Sequence, residues 1–166
     1  MAIDDTIALI QVKLGHLAVQ RDRDAYLRGL VDLCAQAVDA ERCTIYLVDH
    51  EKGELWSRLA QRIALQIRLP IGRGISGTVA ATGETINVPD AYADPRFDRN
   101  VDVRSGFRTR NMLVVPVWNT DRSRVIGVIQ VLNKRNGTFE RRDQMSLERV
   151  ADGVAATIQQ IALERA

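Results

Sequence analysis

Asn133-Lys134-Arg135-Asn136-Gly137-Thr138-Phe139-Glu140-Arg141-Arg142-Asp143 is the stretch on which the fold turns. Asn136-Gly137 is a strong turn signal, because both residue types tolerate the left-handed backbone that a tight reversal needs. Lys134 closes the apolar run before the turn. Thr138 is expected to cap the helix after it, and Asp143 falls in that helix's first turn and a half. A strand end and a helix start joined this tightly set the Lys134 ammonium against the Asp143 carboxylate. Partly buried, such a pair would fix the angle between sheet and helix, and losing one partner would be costly.

Upstream of this stretch, Met112 to Trp118 and Val125 to Leu132 read as strands, joined as a hairpin through Asn119-Thr120-Asp121. Downstream, Met145, Leu147, Val150, Val154, Ile158 and Ile161 follow one side of a long closing helix. That helix has no terminal glycine cap or proline, so Ile161 to Ala166 would serve equally well as the start of a connector into another domain.

The first forty residues read as helix. Asp4, Asp5 and Thr6 supply capping and N-terminal charge, and Ile7, Ile10, Leu14 and Leu17 form a narrow, seam-like stripe. Arg21 to Asp24 mark a break, and a second apolar face runs through Leu27, Leu30, Val31, Cys34 and Val38. Strands are expected from Cys43, with Thr44 to Val48 returning through Asp49 to Gly53 into Glu54 to Ala60. Leu65, Ile67 and Leu69 alternate with Gln66 and Arg68 until Pro70, and Thr85 to Val88 completes the set. Hairpin-type connections with helices at both ends predict an α+β fold in three layers around an antiparallel sheet.

Composition narrows the class without naming a function. The 166 residues are 46% hydrophobic, 27% charged and 5% aromatic, as in one globular domain. Lys and Arg number 23 against 21 Asp and Glu, net +2 with the signs interspersed, so no nucleic-acid track is evident. No apolar run approaches the roughly 20 residues of a membrane span, and the acidic start does not read as a signal peptide. Cys34 and Cys43 form no CxxC, and His16 and His50 are isolated and read as solvated, so no metal site is expected. Both cysteines, Met112 and Met145 read as core, Trp56 and Trp118 as sheet packing, and a reduced, cytoplasmic compartment is expected.

The residues best suited to a ligand lie between Gly72 and Asn111. Gly72-Arg73-Gly74-Ile75-Ser76-Gly77 lacks the Lys-Ser/Thr ending of a phosphate loop. Ser76 is expected to cap a short helix, Thr78 to Thr82, ending at Gly83, with the amides of Ile75 and Ser76 free to meet a ligand edge. Asp94-Pro95-Arg96-Phe97 reads as a second helix start, a place for an anion. Asp102, Ser105, Arg108, Thr109 and Arg110 follow with acceptors, hydroxyls and cations suited to one small polar ligand.

These residues carry a resemblance. Asn133-Lys134, Phe139 and Asp143 resemble the NKFDE signature of GAF domains, the small-molecule sensors of cyclic-nucleotide phosphodiesterases and bacterial adenylyl cyclases. Gln144 stands where the final Glu would be. The similarity runs from Glu41 onward. It is dense in Asn87 to Phe97 and in Ser105 to Asn111, and Val125-Ile126-Gly127-Val128 fits as well. The resemblance implies a six-stranded antiparallel sheet with the N- and C-terminal helices on one face. Short helices and loops would cover a ligand pocket on the other.

On that pattern a cyclic nucleotide, cAMP or cGMP, is the regulatory ligand, with no cofactor and no metal. Thr44 would lie on the pocket floor and the Ile75 and Ser76 amides at the base edge. Asp102, Ser105 and Thr109 would surround sugar and base, while amides near Phe97 and Asp98 would face the phosphate. Guanine-binding relatives tend to carry an aromatic and an Asp at the end of the second strand, where this chain has Ala60 and Gln61. Gln130 stands where some relatives have an acid. Residues 1–40 would be dimerisation or signalling helices belonging to the domain, and residues 41–166 its core with the C-terminal helix. The implied function is a sensor, without catalysis, that signals to an output domain as a homodimer, with neither nucleic acid nor membrane as partner. The alternative is a dimerisation module whose pocket is empty or holds another metabolite. Relatives that reduce methionine sulfoxide need cysteines in the pocket loops, which this chain lacks.

Overall fold

A computed structural model of the chain describes residues 3–60 and 67–164. Two helices open it, α1 (Ile3–Ala18) and α2 (Arg23–Ala37). Asp4, Asp5 and Thr6 lie within the first turn of α1 rather than ahead of it. The break between the helices falls at residues 19–22, and Asp22 starts α2 as its cap. The Asp22 carboxylate accepts from the amides of Asp24 at 2.9 Å and Ala25 at 3.2 Å. After α2 the chain turns through Asp39, whose φ of 52° lies in the left-handed region, directly into β1 (Ala40–Asp49). The strand thus begins three residues before Cys43.

Four further strands follow the expected order: β2 (Glu54–Ala60), β3 (Arg68–Pro70), β4 (Ile86–Val88) and β5 (Met112–Trp118). The sixth, β6 (Val125–Lys134), runs on to the lysine. Leu65, part of the expected third strand, lies outside the described residues. The six strands form one sheet in the order β3-β2-β1-β6-β5-β4, every neighbouring pair antiparallel. The two ten-residue strands β1 and β6 occupy the centre, where both faces need cover.

Alternation along these strands divides the molecule. Cys43, Ile45 and Leu47 of β1, Leu113, Val115 and Val117 of β5, and Ile129 and Val131 of β6 join one apolar core with α1, α2 and the last helix, α5 (Arg141–Leu163). Tyr46, Val48, Met112, Val114 and Val128 face the other way, into a second cluster with α3 (Gly74–Thr82). The expected α+β, three-layer architecture is therefore the observed one, with the terminal helices gathered on one face. Trp56 lies in the first core, and Trp118 packs against the second.

Several local expectations are corrected. Helix α5 is capped by Glu140 and not by Thr138, because the Asp143 carboxylate turns back to accept the Glu140 amide at 2.8 Å. Met145 is 41% exposed, since the buried stripe of α5 passes through Ser146 and Leu147 instead. Ser76 lies inside α3, which begins at Gly74. Gly83 does end that helix, at φ 72°, with the Trp118 ring against it. Asp94-Pro95 opens a turn: the Phe97 amide bonds the Asp94 carbonyl at 3.1 Å, and the next helix, α4 (Asn100–Ser105), starts later.

The lock between sheet and closing helix is present. Lys134 Nζ lies 2.9 Å from Asp143 Oδ1, with the two side chains 11% and 6% exposed. The same ammonium donates to the Val38 carbonyl at 2.8 Å, so it joins β6, α5 and the end of α2.

Candidate ligand-binding site

Between the sheet and its covering segments lies a cavity of about 540 Å³, within the roughly 300–1,000 Å³ usual for small-molecule sites. Its floor is supplied by alternate residues: Arg42, Thr44 and Tyr46 of β1, Met112 of β5, and Gln130 and Leu132 of β6. Thr44 and Gln130 are direct cross-strand partners, so their side chains stand side by side. Ser76 reaches down from α3 to donate to Gln130 Oε1 at 2.7 Å, and Tyr46 also hydrogen-bonds the Gln130 side chain. Burial pushes the Tyr46 phenol above its ordinary value, so it remains a neutral hydroxyl. Thr44 is 4% exposed and lines the cavity floor beside Gln130.

Helix α3 forms one wall. Its N-cap, Arg73, gives no side-chain hydrogen bond, and the amides of Gly74, Ile75 and Ser76 have no acceptor within the helix. The expected ligand-facing amides at Ile75 and Ser76 therefore stand at the cavity wall, while the Ser76 hydroxyl is committed to Gln130.

Another wall is formed by the segment from Ala91 to Arg110, and Asp102 holds that segment together. One oxygen of this buried carboxylate accepts from Thr109 Oγ1 at 2.7 Å. The other accepts from the Thr109 amide and from the Tyr92 hydroxyl, each at 2.7 Å. Held as a donor to a carboxylate, the Tyr92 phenol has its pKa raised, chiefly by that bond. The Arg99 and Arg108 guanidinium groups lie 4.9 and 4.3 Å from the Tyr92 ring centroid, and Phe97 packs against it. Asp102 and Thr109 line the cavity as expected, but they spend their polar atoms on each other. Ser105 Oγ accepts from the Phe107 amide at 3.3 Å, and Asp98 accepts the Asn100 amide at 2.9 Å. The Phe97 amide closes the Asp94 turn and is not free for an anion. The hydrogen bonds of Arg96 hold the Asp94 carboxyl below its usual value.

Asn133 fastens the end of this wall to the sheet. At φ 60° its side chain folds back so that Oδ1 accepts the Arg110 amide at 2.6 Å, while Nδ2 donates to the Arg108 carbonyl at 2.9 Å. Asn111 completes the joint, accepting the Lys134 amide at 2.8 Å and donating to the Gly137 carbonyl at 3.1 Å. Phe139, the apolar member of the motif, is buried in the helix-side core, and Asn87 bonds its carbonyl. These motif residues serve as framework behind the cavity.

Thr44, Ile75, Ser76, Phe97, Asp98, Asp102, Ser105, Thr109 and Gln130 thus converge on one cavity, and Gln61 lies outside the described residues. Sequence reading missed Tyr46, Tyr92 and the arginines that line the cavity, Arg42, Arg68, Arg73, Arg96 and Arg104. Cys34 and Cys43 are fully buried in the helix-side core, across the sheet from the cavity. Burial pushes the Cys43 thiol well up. Among the described residues no group of His, Cys, Asp and Glu could hold a metal ion, and no helix is long and apolar enough to cross a membrane.

The GAF domain model matches residues 22–158. The chain belongs to the GAF domain family. A Caenorhabditis elegans protein named "Probable 3',5'-cyclic phosphodiesterase pde-5" is 33% identical over 138 residues, covering 75% of this chain. A Takifugu rubripes "Dual 3',5'-cyclic-AMP and -GMP phosphodiesterase 11A" is 38% identical over 117 residues, covering 63%. The chain spans only 19% and 13% of those two proteins' lengths. Among solved structures, the GAF domain of a Coxiella burnetii phosphoenolpyruvate-protein phosphotransferase superposes with a TM-score of 0.85 at 18% identity. That alignment covers 99% of each chain, a likeness of fold.

Proposed function

We propose that this GAF domain is a regulatory sensor that takes a cyclic nucleotide, cAMP or cGMP, into the cavity over its sheet. Occupancy is passed through the terminal helices to an output domain in a cytoplasmic homodimer. The observation that carries this reading is the cavity's lining: a polar floor of Thr44 and Gln130 with five arginines around it. The free amides of α3 add donors beside it. Sequence likeness to cyclic-nucleotide phosphodiesterases supports the ligand class. The mechanism is a population shift, driven by tighter binding to one arrangement of the helices, with no bond made or broken.

Isothermal calorimetry with cAMP and cGMP tests it. Saturable heat from either, lost in Thr44→Val, supports the sensor. No heat at high micromolar ligand from folded protein refutes it. A second reading, a dimerisation module, is favoured by Leu9 and Val12 of α1 and Val19 just beyond it, which are 44%, 56% and 80% exposed.

A further inference from the structure

Five arginines line the cavity, from β1 (Arg42), β3 (Arg68), the start of α3 (Arg73), the Asp94 turn (Arg96) and α4 (Arg104). Two carboxylates join them, and both are engaged: Asp102 with Tyr92 and Thr109, Asp98 with the Asn100 amide. Three of the arginines are also occupied. Arg68 pairs with Glu54 at 2.7 Å and Arg96 with Asp94 at 2.7 Å, while the Arg42 guanidinium stacks 3.8 Å from the Phe107 ring centroid. Among the described residues Arg73 has no carboxylate partner, and Arg104 makes only a 3.4 Å contact to the carbonyl of Asn100 in its own helix. Of the main-chain donors expected to face a phosphate, near Phe97 and Asp98, that of Phe97 is already used by the Asp94 turn.

We propose that Arg73 and Arg104 form the anion anchor of the cavity, gripping the ligand's phosphate between α3 and α4. The proposal rests on the cyclic-nucleotide reading above for the ligand's identity, and on the charge distribution for the anchor itself. A phosphodiester offers two charged oxygens, and a guanidinium presents donors in a fork that matches them. Both residues line the cavity from exposed positions on different elements, so an anion accepted by both would tie α4 to α3. The ligand's charge thereby closes the cavity, while its neutral part is held by the floor at Thr44 and Gln130.

Calorimetry on wild type, Arg73→Gln, Arg104→Gln and the double variant tests this, using cAMP and cGMP beside adenosine and guanosine. Each single variant is expected to weaken the cyclic nucleotide about tenfold and the double variant more, with the neutral nucleoside unchanged. Wild-type-like binding of the cyclic nucleotide by the double variant overturns the anchor, as does equal weakening of nucleoside and nucleotide. If wild type binds neither cyclic nucleotide, the ligand reading fails separately. The anchor is then read by titrating inorganic phosphate and following the Arg Nε–H NMR signals. Shifts at Arg73 and Arg104, absent from the variants, support it, and unmoved signals refute it.

Discussion

Asp143→Ala tests the joint that sets the sheet against its helices. In the folded protein Lys134 Nζ has two partners, Asp143 Oδ1 at 2.9 Å and the Val38 carbonyl at 2.8 Å, and neither charged side chain is more than 11% exposed. Removing the carboxylate leaves a buried ammonium with one neutral acceptor, a change that costs about 3–5 kcal/mol where a buried pair is broken. The Glu140 amide loses its acceptor as well, and a lost helix cap adds about 1 kcal/mol. Set against the roughly 5–15 kcal/mol of a whole domain, this is a large fraction of stability. Urea unfolding followed by tryptophan fluorescence should show it, and the Tm should fall by roughly 8–24 °C. Lys134→Met combined with Asp143→Leu removes both charges and should be less destabilised than Asp143→Ala alone. A cost below about 1 kcal/mol for Asp143→Ala would mean the pair behaves as an exposed one, and the reasoning would be refuted. Strict additivity of the two single changes would refute it equally.

Other outcomes follow from single residues. Thr109→Val removes one of three donors to Asp102 and should cost about 1–2 kcal/mol in urea unfolding while loosening the wall, seen as faster amide exchange at residues 100–110. Gly83→Ala places a methyl group into the Trp118 ring at φ 72° and should cost roughly 2–4 kcal/mol, with an altered tryptophan emission. Asp94 has a folded pKa below its unfolded one, so its contribution is present above the ordinary Asp value and lost as pH falls through the depressed value. Asp94→Asn should flatten that acid-side slope slightly, by no more than about 1 kcal/mol for so exposed a pair. Cys34 and Cys43 should resist thiol reagents until the domain unfolds, and rapid labelling of native protein would contradict their burial.

The sequence made legible what depends on strong local periodicity. Met112 to Trp118 alternates between two buried faces and is bounded by loop residues on both sides, so its strand ends where expected. The Lys134–Asp143 pair was legible because a tight turn leaves few ways to place two residues nine apart. Capping was read less well. Asp-Pro begins turns as readily as helices, since proline at the second position suits both, and only the Phe97-to-Asp94 bond separates them. Met145 fits an apolar stripe by spacing, yet lies at its solvent edge. The Asp102 latch joins residues seven and ten apart through an irregular segment, where no period reports contact. The arginine lining comes from separate elements and exists only once the sheet is assembled.

Strand β6 carries Gln130 on the cavity floor and Ile129 and Val131 in the opposite core. The partition between cavity and helices is therefore one peptide chain thick, with consecutive residues answering to different sides. A displacement of the Gln130 main chain is also a displacement of its two neighbours, and the closing helix rests on them. In the proposed sensor, a shift of the floor would reach the helices with no lever or hinge, because both are served by the same backbone bonds.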